Sequence, residues 1–145
     1  MVVVVGLMQN TTLVNIAGVK PNLILVLLLF FIPLTANFYE YLVLLLVAGS
    51  VLNLGGSFNG NVVVLLVALV FAYLIHRRLL WAKYFNNLIL IALSTALFYV
   101  LSSPSFIYEN WDIVLREIIY NLILGSVLIL LLFPSGHRQA LGRAA

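Results

Sequence analysis

The sequence predicts an all-α, polytopic transmembrane helical bundle of about six spans, the first of them short. Three observations predict it. Of 145 residues, 65% are hydrophobic and only 8% charged, with a mean hydropathy of +1.22. A soluble domain is near 25% charged, so this chain has too few polar groups to cover a surface in water. The apolar residues come in long runs that do not alternate, unlike the strands of a transmembrane barrel with its polar lumen. The charges gather between the runs. The one internal cluster of cations, Arg77, Arg78 and Lys83, separates an apolar run at 61–75 from another at 88–101.

The first segment covers residues 2–17. It is short for a span, which needs about 20 residues, and Gln9, Asn10, Thr11, Thr12 and Asn15 interrupt it. Those side chains need hydrogen-bond partners in lipid, so their face is expected to pack on other helices. Gly18 and Pro21 make a break: glycine ends a helix, and proline opens the next where its missing N–H costs nothing. The second segment, 22–34, is almost pure Leu, Ile, Val and Phe and stops at Pro33. The third, 39–54, places Gly49, Asn53 and Gly56 on one helix face. An uncharged turn through Gly60 follows. The fourth, 61–75, carries Ala68 and Ala72, a small pair four apart that lets backbones approach. The fifth, 88–101, repeats this with Ala92 and Ala96 around Ser94 and Thr95. Residues 102–112 form an acidic, aromatic connection expected to ride at an interface. The sixth, 113–133, holds Asn121 and Gly125 on one face. Residues 1–133 are thus the bundle, and residues 134–145 a basic tail.

Cations cost roughly 2.5–3.5 kcal/mol each at the centre of a membrane helix, so Arg77, Arg78 and Lys83 mark a membrane surface, and cytoplasmic loops collect such residues. Six spans put the N-terminus, this loop and the tail with Arg138 and Arg143 on one side. Lys20, Glu109, Asp112, Arg116 and Glu117 fall on the other. Both termini are therefore expected in the cytoplasm. The N-terminus has neither a basic region nor a small-residue cleavage site, so no cleaved signal peptide is expected.

Little here suggests bond-making chemistry. Cysteine is absent, which removes disulfides, thiolate nucleophiles and cysteine metal sites. His76 and His137 each lie next to an Arg on the expected cytoplasmic side and read as interface residues. Glu109, Asp112 and Glu117, beside Arg116, read as charges at a helix N-terminus with one ion pair. No ionisable residue is expected mid-span, which argues against a proton-coupled transporter. The polar residues left in the spans, Asn53, Asn121, Ser94, Thr95 and the cluster from Gln9 to Asn15, read as glue between helices. No metal or organic cofactor is expected.

Three stretches carry a resemblance. Lys20-Pro21-Asn22-Leu23-Ile24-Leu25 is a short break with Pro-Asn before an aliphatic run. Leu52-Asn53-Leu54-Gly55-Gly56-Ser57-Phe58-Asn59-Gly60 is a Leu-Asn-Leu turn rich in glycine. Ala72-Tyr73-Leu74 leads into Arg77-Arg78. In order and spacing, with Asn121 in an aliphatic last helix and a basic tail, the chain resembles the MreD family of the bacterial rod-shape machinery. Two features depart from that family's pattern: its common Asp in the turn is Asn53 here, and its first helix starts earlier.

The resemblance implies a non-enzymatic scaffold in the bacterial cytoplasmic membrane. It implies MreC as partner, through that protein's transmembrane and juxtamembrane segment. Through MreC it implies indirect links to MreB and to RodA with its penicillin-binding protein. It also implies a fold similar to the substrate-binding subunits of energy-coupling-factor transporters. The residues expected to pack helices or seat a partner are Pro21, Asn22, Gly49, Asn53, Gly56, Gly60, Ala68, Ala72, Asn121 and Gly125. Arg77, Arg78, Lys83, Arg138 and Arg143 form the expected basic face. The alternative is a small-molecule-binding subunit of a transporter, with Asn22, Asn53, Asn59 and Tyr108 around the ligand.

Overall fold

The computed structural model describes residues 1–10, 21–54, 60–78 and 83–132, together with Val19. Among these residues the chain is helical and no strand forms. The α-helices are α1 (Val2–Asn10), α2 (Leu23–Phe31), α3 (Phe38–Leu52), α4 (Gly60–His76), α5 (Lys83–Ser102), α6 (Pro104–Glu109) and α7 (Trp111–Leu132).

The second segment is where sequence and structure differ most. Asn22 caps α2, its side chain accepting the Leu25 N–H at 3.0 Å. Pro33 cannot continue the α ladder, and the chain tightens into a 3₁₀ turn over Ile32–Leu34. Nine helical residues at ~1.5 Å each make α2 about 13 Å long, against a hydrocarbon core of about 30 Å. Ile24 through Phe30 are all buried. An all-round hydrophobic helix is stable only when enclosed, and α2 packs on α1, α3, α4, α5 and α7.

Those five helices form an incomplete ring around α2. Helix α1 packs on α3, α3 on α4, α4 on α5, and α5 on α7; no comparable packing joins α7 back to α1 among the described residues. Two glycines set the tightest approaches. A Cβ on Gly6 would lie 2.6 Å from Val51 Cγ1, and one on Gly125 would lie 2.3 Å from Ile91 Cδ1.

Side-chain pairs fix the directions. Thr95 meets Asn121 and Tyr99 meets Glu117, so α5 and α7 run antiparallel. Ser102 meets Asn61, so α4 and α5 do too. Phe38 and Tyr41 at the start of α3 pack on Tyr73 near the end of α4. Gln9 bonds Leu23 where α1 ends and α2 begins. One end of the bundle therefore holds the end of α4 with Arg77 and Arg78. The other holds α6 and the start of α7.

Among the described residues, two helices are long and apolar enough to cross a membrane, over Phe85–Ser102 and Trp111–Leu131. Only 33% and 22% of these windows are buried, whereas the core helix of a soluble protein is mostly enclosed. The outer faces are apolar stripes at helical spacing: Leu115, Ile119, Ile123, Val127 and Leu130 on α7, and Val63, Val67, Phe71 and Leu74 on α4. Exposed apolar surface of this continuity is foreign to a water-soluble monomer.

Other element limits also shift. Gly60, expected in a turn, is the first residue of α4. Lys83, expected in the loop, begins α5, which carries Asn86 and Asn87 into buried positions. The connection at 102–112 contains α6, opened by Pro104 in its first turn.

Candidate functional site: a polar junction inside the bundle

The start of α2 is enclosed by neighbouring helices, with Pro21 buried and Asn22 and Leu23 half-buried. Helix N-termini leave several backbone N–H donors without intrahelical partners. Here side chains from two other helices supply acceptors. Gln9 Oε1 accepts the Leu23 N–H at 3.0 Å, and Asn121 Oδ1 accepts the Asn22 N–H at 2.9 Å. With the Asn22 cap on Leu25, three donors are satisfied.

Asn121 is fully buried, and its amide also donates to Thr95 Oγ1 at 3.1 Å. The Thr95 hydroxyl in turn donates a hydrogen bond to the Ile91 carbonyl at 2.8 Å. Asn121 thus joins α7 to α5 and α2 at one point near the middle of α7. Truncating it would leave buried donors unmet, at about 1–3 kcal/mol.

One turn earlier on α7, Glu117 is buried and accepts a hydrogen bond from the Tyr99 hydroxyl. This corrects the expectation that Glu117 is an end charge grouped with Glu109 and Asp112. It also corrects the expectation that no ionisable side chain lies within a span. Residues 117, 121 and 125 share one helix face, and that face packs on Tyr99, Thr95 and Ile91 of α5. The neighbouring face carries the ion pair that the spacing did foretell: Arg116 and Asp112, at 3.7 Å and exposed. Tyr99 also stacks on Phe106 of α6, with ring centroids 5.8 Å apart and planes 9° from parallel. The junction is therefore tied to the short helix at the bundle's acidic end.

The other expected residues fall in separate places. Pro21 is fully buried beside Asn22 at the junction. Asn53 caps α3 and is half-buried, its N–H bonding the Gly49 carbonyl at 3.1 Å. Gly49 meets Leu66 of α4, where an added Cβ would lie 3.0 Å from Leu66 Cδ1. Ala68 and Ala72 are buried on the core face of α4. Gly60 is exposed with open space around it. Gly56 and Asn59 lie outside the described residues, as do Arg138, Arg143 and His137.

At the opposite end, Arg77 is exposed but held. Its guanidinium donates to the Tyr73 hydroxyl at 2.9 Å and lies 5.2 Å from that ring's centre. Tyr73 stacks on the fully buried Tyr41, with centroids 5.1 Å apart. Arg78 is exposed beside it.

A cleft of about 110 Å³ opens at the edge of the junction, lined by Gln9, Asn22, Leu52, Asn61, Val62, Leu65 and Phe98. Ser102 donates to Asn61 at its rim, at 2.7 Å. Tyr108 is not part of it: that ring is 86% exposed on α6.

The pairings missed by the sequence reading include Asn22 with Asn121, Tyr99 with Glu117 and Ser102 with Asn61. The only available signal was the four-residue spacing of Glu117, Asn121 and Gly125. No family model matches the chain, and no curated protein or solved structure matches it.

Proposed function

We propose that this chain is a polytopic, non-enzymatic scaffold of the bacterial cell-elongation machinery, the role that its resemblance to the MreD family implies. In this reading α3, α4, α5 and α7 alternate across the membrane, while the short α1 and α2, about 13 Å each, run in and back from the cationic end and meet at Gln9 and Leu23. The observation that carries it is sidedness. The end with Arg77 and Arg78 faces the cytoplasm, by the preference of cytoplasmic loops for cations. The end with Glu109, Asp112 and the exposed aromatics Tyr108 and Trp111 faces outward. The polar groups of the interior are spent on capping α2 and joining helices, as a scaffold's would be.

The chain has no cysteine, so single cysteines report position cleanly. A membrane-impermeant maleimide is expected to label Tyr108→Cys in intact cells, and Arg78→Cys only after permeabilisation. The reverse pattern overturns the layout. The scaffold role is tested by co-expressing MreC from the same genome: the two are expected to purify together in detergent. Two well-folded proteins that never associate would refute the role and leave the topology standing.

The transporter-subunit alternative draws on the cleft at Gln9, Asn22 and Asn61. At about 110 Å³ it is well below the ~300–1,000 Å³ of pockets that enclose organic ligands, so the scaffold reading is preferred. A thermal-shift screen with vitamins separates them, because a ligand stabilises the state it binds.

A further inference from the structure

We propose that Glu117 of α7 is a proton-binding site within the membrane, with Tyr99 of α5 as its partner. The proposal rests on the membrane reading above and is independent of the scaffold role. The chain has four acidic side chains. Glu40, Glu109 and Asp112 are exposed, whereas Glu117 is only 6% exposed. It follows Trp111, the first residue of α7, by six residues, roughly 9 Å along the helix. It lies on the face that packs against α5. Ionisable residues are rare within membrane spans, and where they occur they mark routes or sites for protons and ions.

Charge balance decides what Glu117 holds. An enclosed carboxylate is stable only against an opposite charge or a metal ion. No cation meets it among the described residues. Arg116 is its neighbour in sequence but turns to the exposed face, where it pairs with Asp112 at 3.7 Å. Arg77, Arg78, His76 and Lys83 sit at the opposite end of the bundle, where α4 ends and α5 begins. From α5 the Tyr99 hydroxyl reaches the carboxyl and donates to Oε2. Helix α2 carries no ionisable side chain, and on α6 both Tyr108 and Glu109 are exposed. On α7 itself Asp112 is exposed and Tyr120 half-buried. One neutral hydrogen bond does not offset a full charge in such a place. A proton on the carboxyl removes the charge and leaves the Tyr99 bond intact.

Glue between helices does not account for a carboxyl here. Asn121, one turn further along α7, joins helices with an amide that never titrates. Glu117 differs in that it can take up and release a proton. Tyr99 also stacks on Phe106 of α6, which sets the site at the acidic end of the bundle.

The test is the infrared spectrum of the full chain in lipid bilayers at neutral pH, with and without carbon-13 in the glutamate carboxyls. The wild type is expected to show one carboxylic-acid carbonyl band, shifted by the label and lost in Glu117→Gln. Glu40→Gln and Glu109→Gln are expected to leave it in place. Tyr99→Phe is expected to keep the band but raise its frequency, because the carbonyl loses a hydrogen bond. Replacing sodium by choline is expected to change nothing. If Glu117→Gln fails to fold, the label, the two control variants and Tyr99→Phe carry the test. A wild type with ionised carboxylate bands alone overturns the proposal, since Glu117 is then paired with a cation, whether Lys20, which lies outside the described residues, or another. A band that survives in Glu117→Gln, stays fixed in Tyr99→Phe or appears only when sodium is withdrawn also overturns it. Reversed labelling of Tyr108→Cys and Arg78→Cys would refute the sidedness and leave this result untouched.

Discussion

Helices α2 and α7 are both aliphatic, yet they live in different solvents. Every residue of α2 from Ile24 to Phe30 is buried by other parts of the protein. Helix α7 leaves Leu130 71% and Leu131 68% exposed and buries only one face, that of Glu117, Asn121 and Gly125. The apolarity of their aliphatic residues does not distinguish the two cases, since lipid tails are as apolar as a leucine side chain. What distinguishes them is the helix ends. Helix α2 is cut short by Asn22 and Pro33 and needs Gln9 and Asn121 to complete its first turn. Helix α7 runs for 22 residues and needs no such help.

The largest expected effect bears on this contrast. Leu28→Ala, in the middle of α2, should destabilise by about 2–5 kcal/mol, the range for truncating a fully packed leucine. Leu130→Ala on α7 should stay within about 0.5 kcal/mol. Unfolding in mixed micelles measures both, and equal losses would break the distinction. Next comes Ile123→Arg on the outer face of α7. It should oppose membrane insertion by roughly 2.5–3.5 kcal/mol, read as a fall in the membrane-inserted fraction. Unchanged insertion would mean that this face meets something other than lipid.

Asn121→Leu keeps the size of the side chain but removes both of its bonds. A loss of about 1–3 kcal/mol is expected, together with faster hydrogen exchange at Asn22. No change in that exchange would show that Asn121 is not what caps α2. The smallest effect belongs to Asp112→Ala. Its pair with Arg116 is half exposed on both sides, and such pairs contribute about 0–1 kcal/mol. A loss well above that would place Asp112 in an interface with a partner.

How much of the junction was legible follows from sequence distance. The Asn22 cap lies within one helical turn, but the reading put Pro21 in the first turn of α2, whereas the helix starts at Leu23 and Pro21 precedes its cap. The alanines of α4 and the glycine of α7 were marked by spacing, and both are buried as that spacing implied. The bond from Asn22 to Asn121 spans 99 residues, and nothing local encodes it. Glu117 was misread for a related reason. Beside Asp112 and Arg116 it looks like one of three terminal charges, but one step around the helix turns it from solvent to α5.

The sequence alone determined that this chain is helical, that its runs are apolar enough for a membrane, and where its cations lie. Those properties follow from composition and period, which each segment carries by itself. Only the tertiary structure decided which aliphatic run would be enclosed, which polar side chains would complete its first turn, and where the ring of helices would stay open. Enclosure is a property of neighbours, and no segment specifies its neighbours alone.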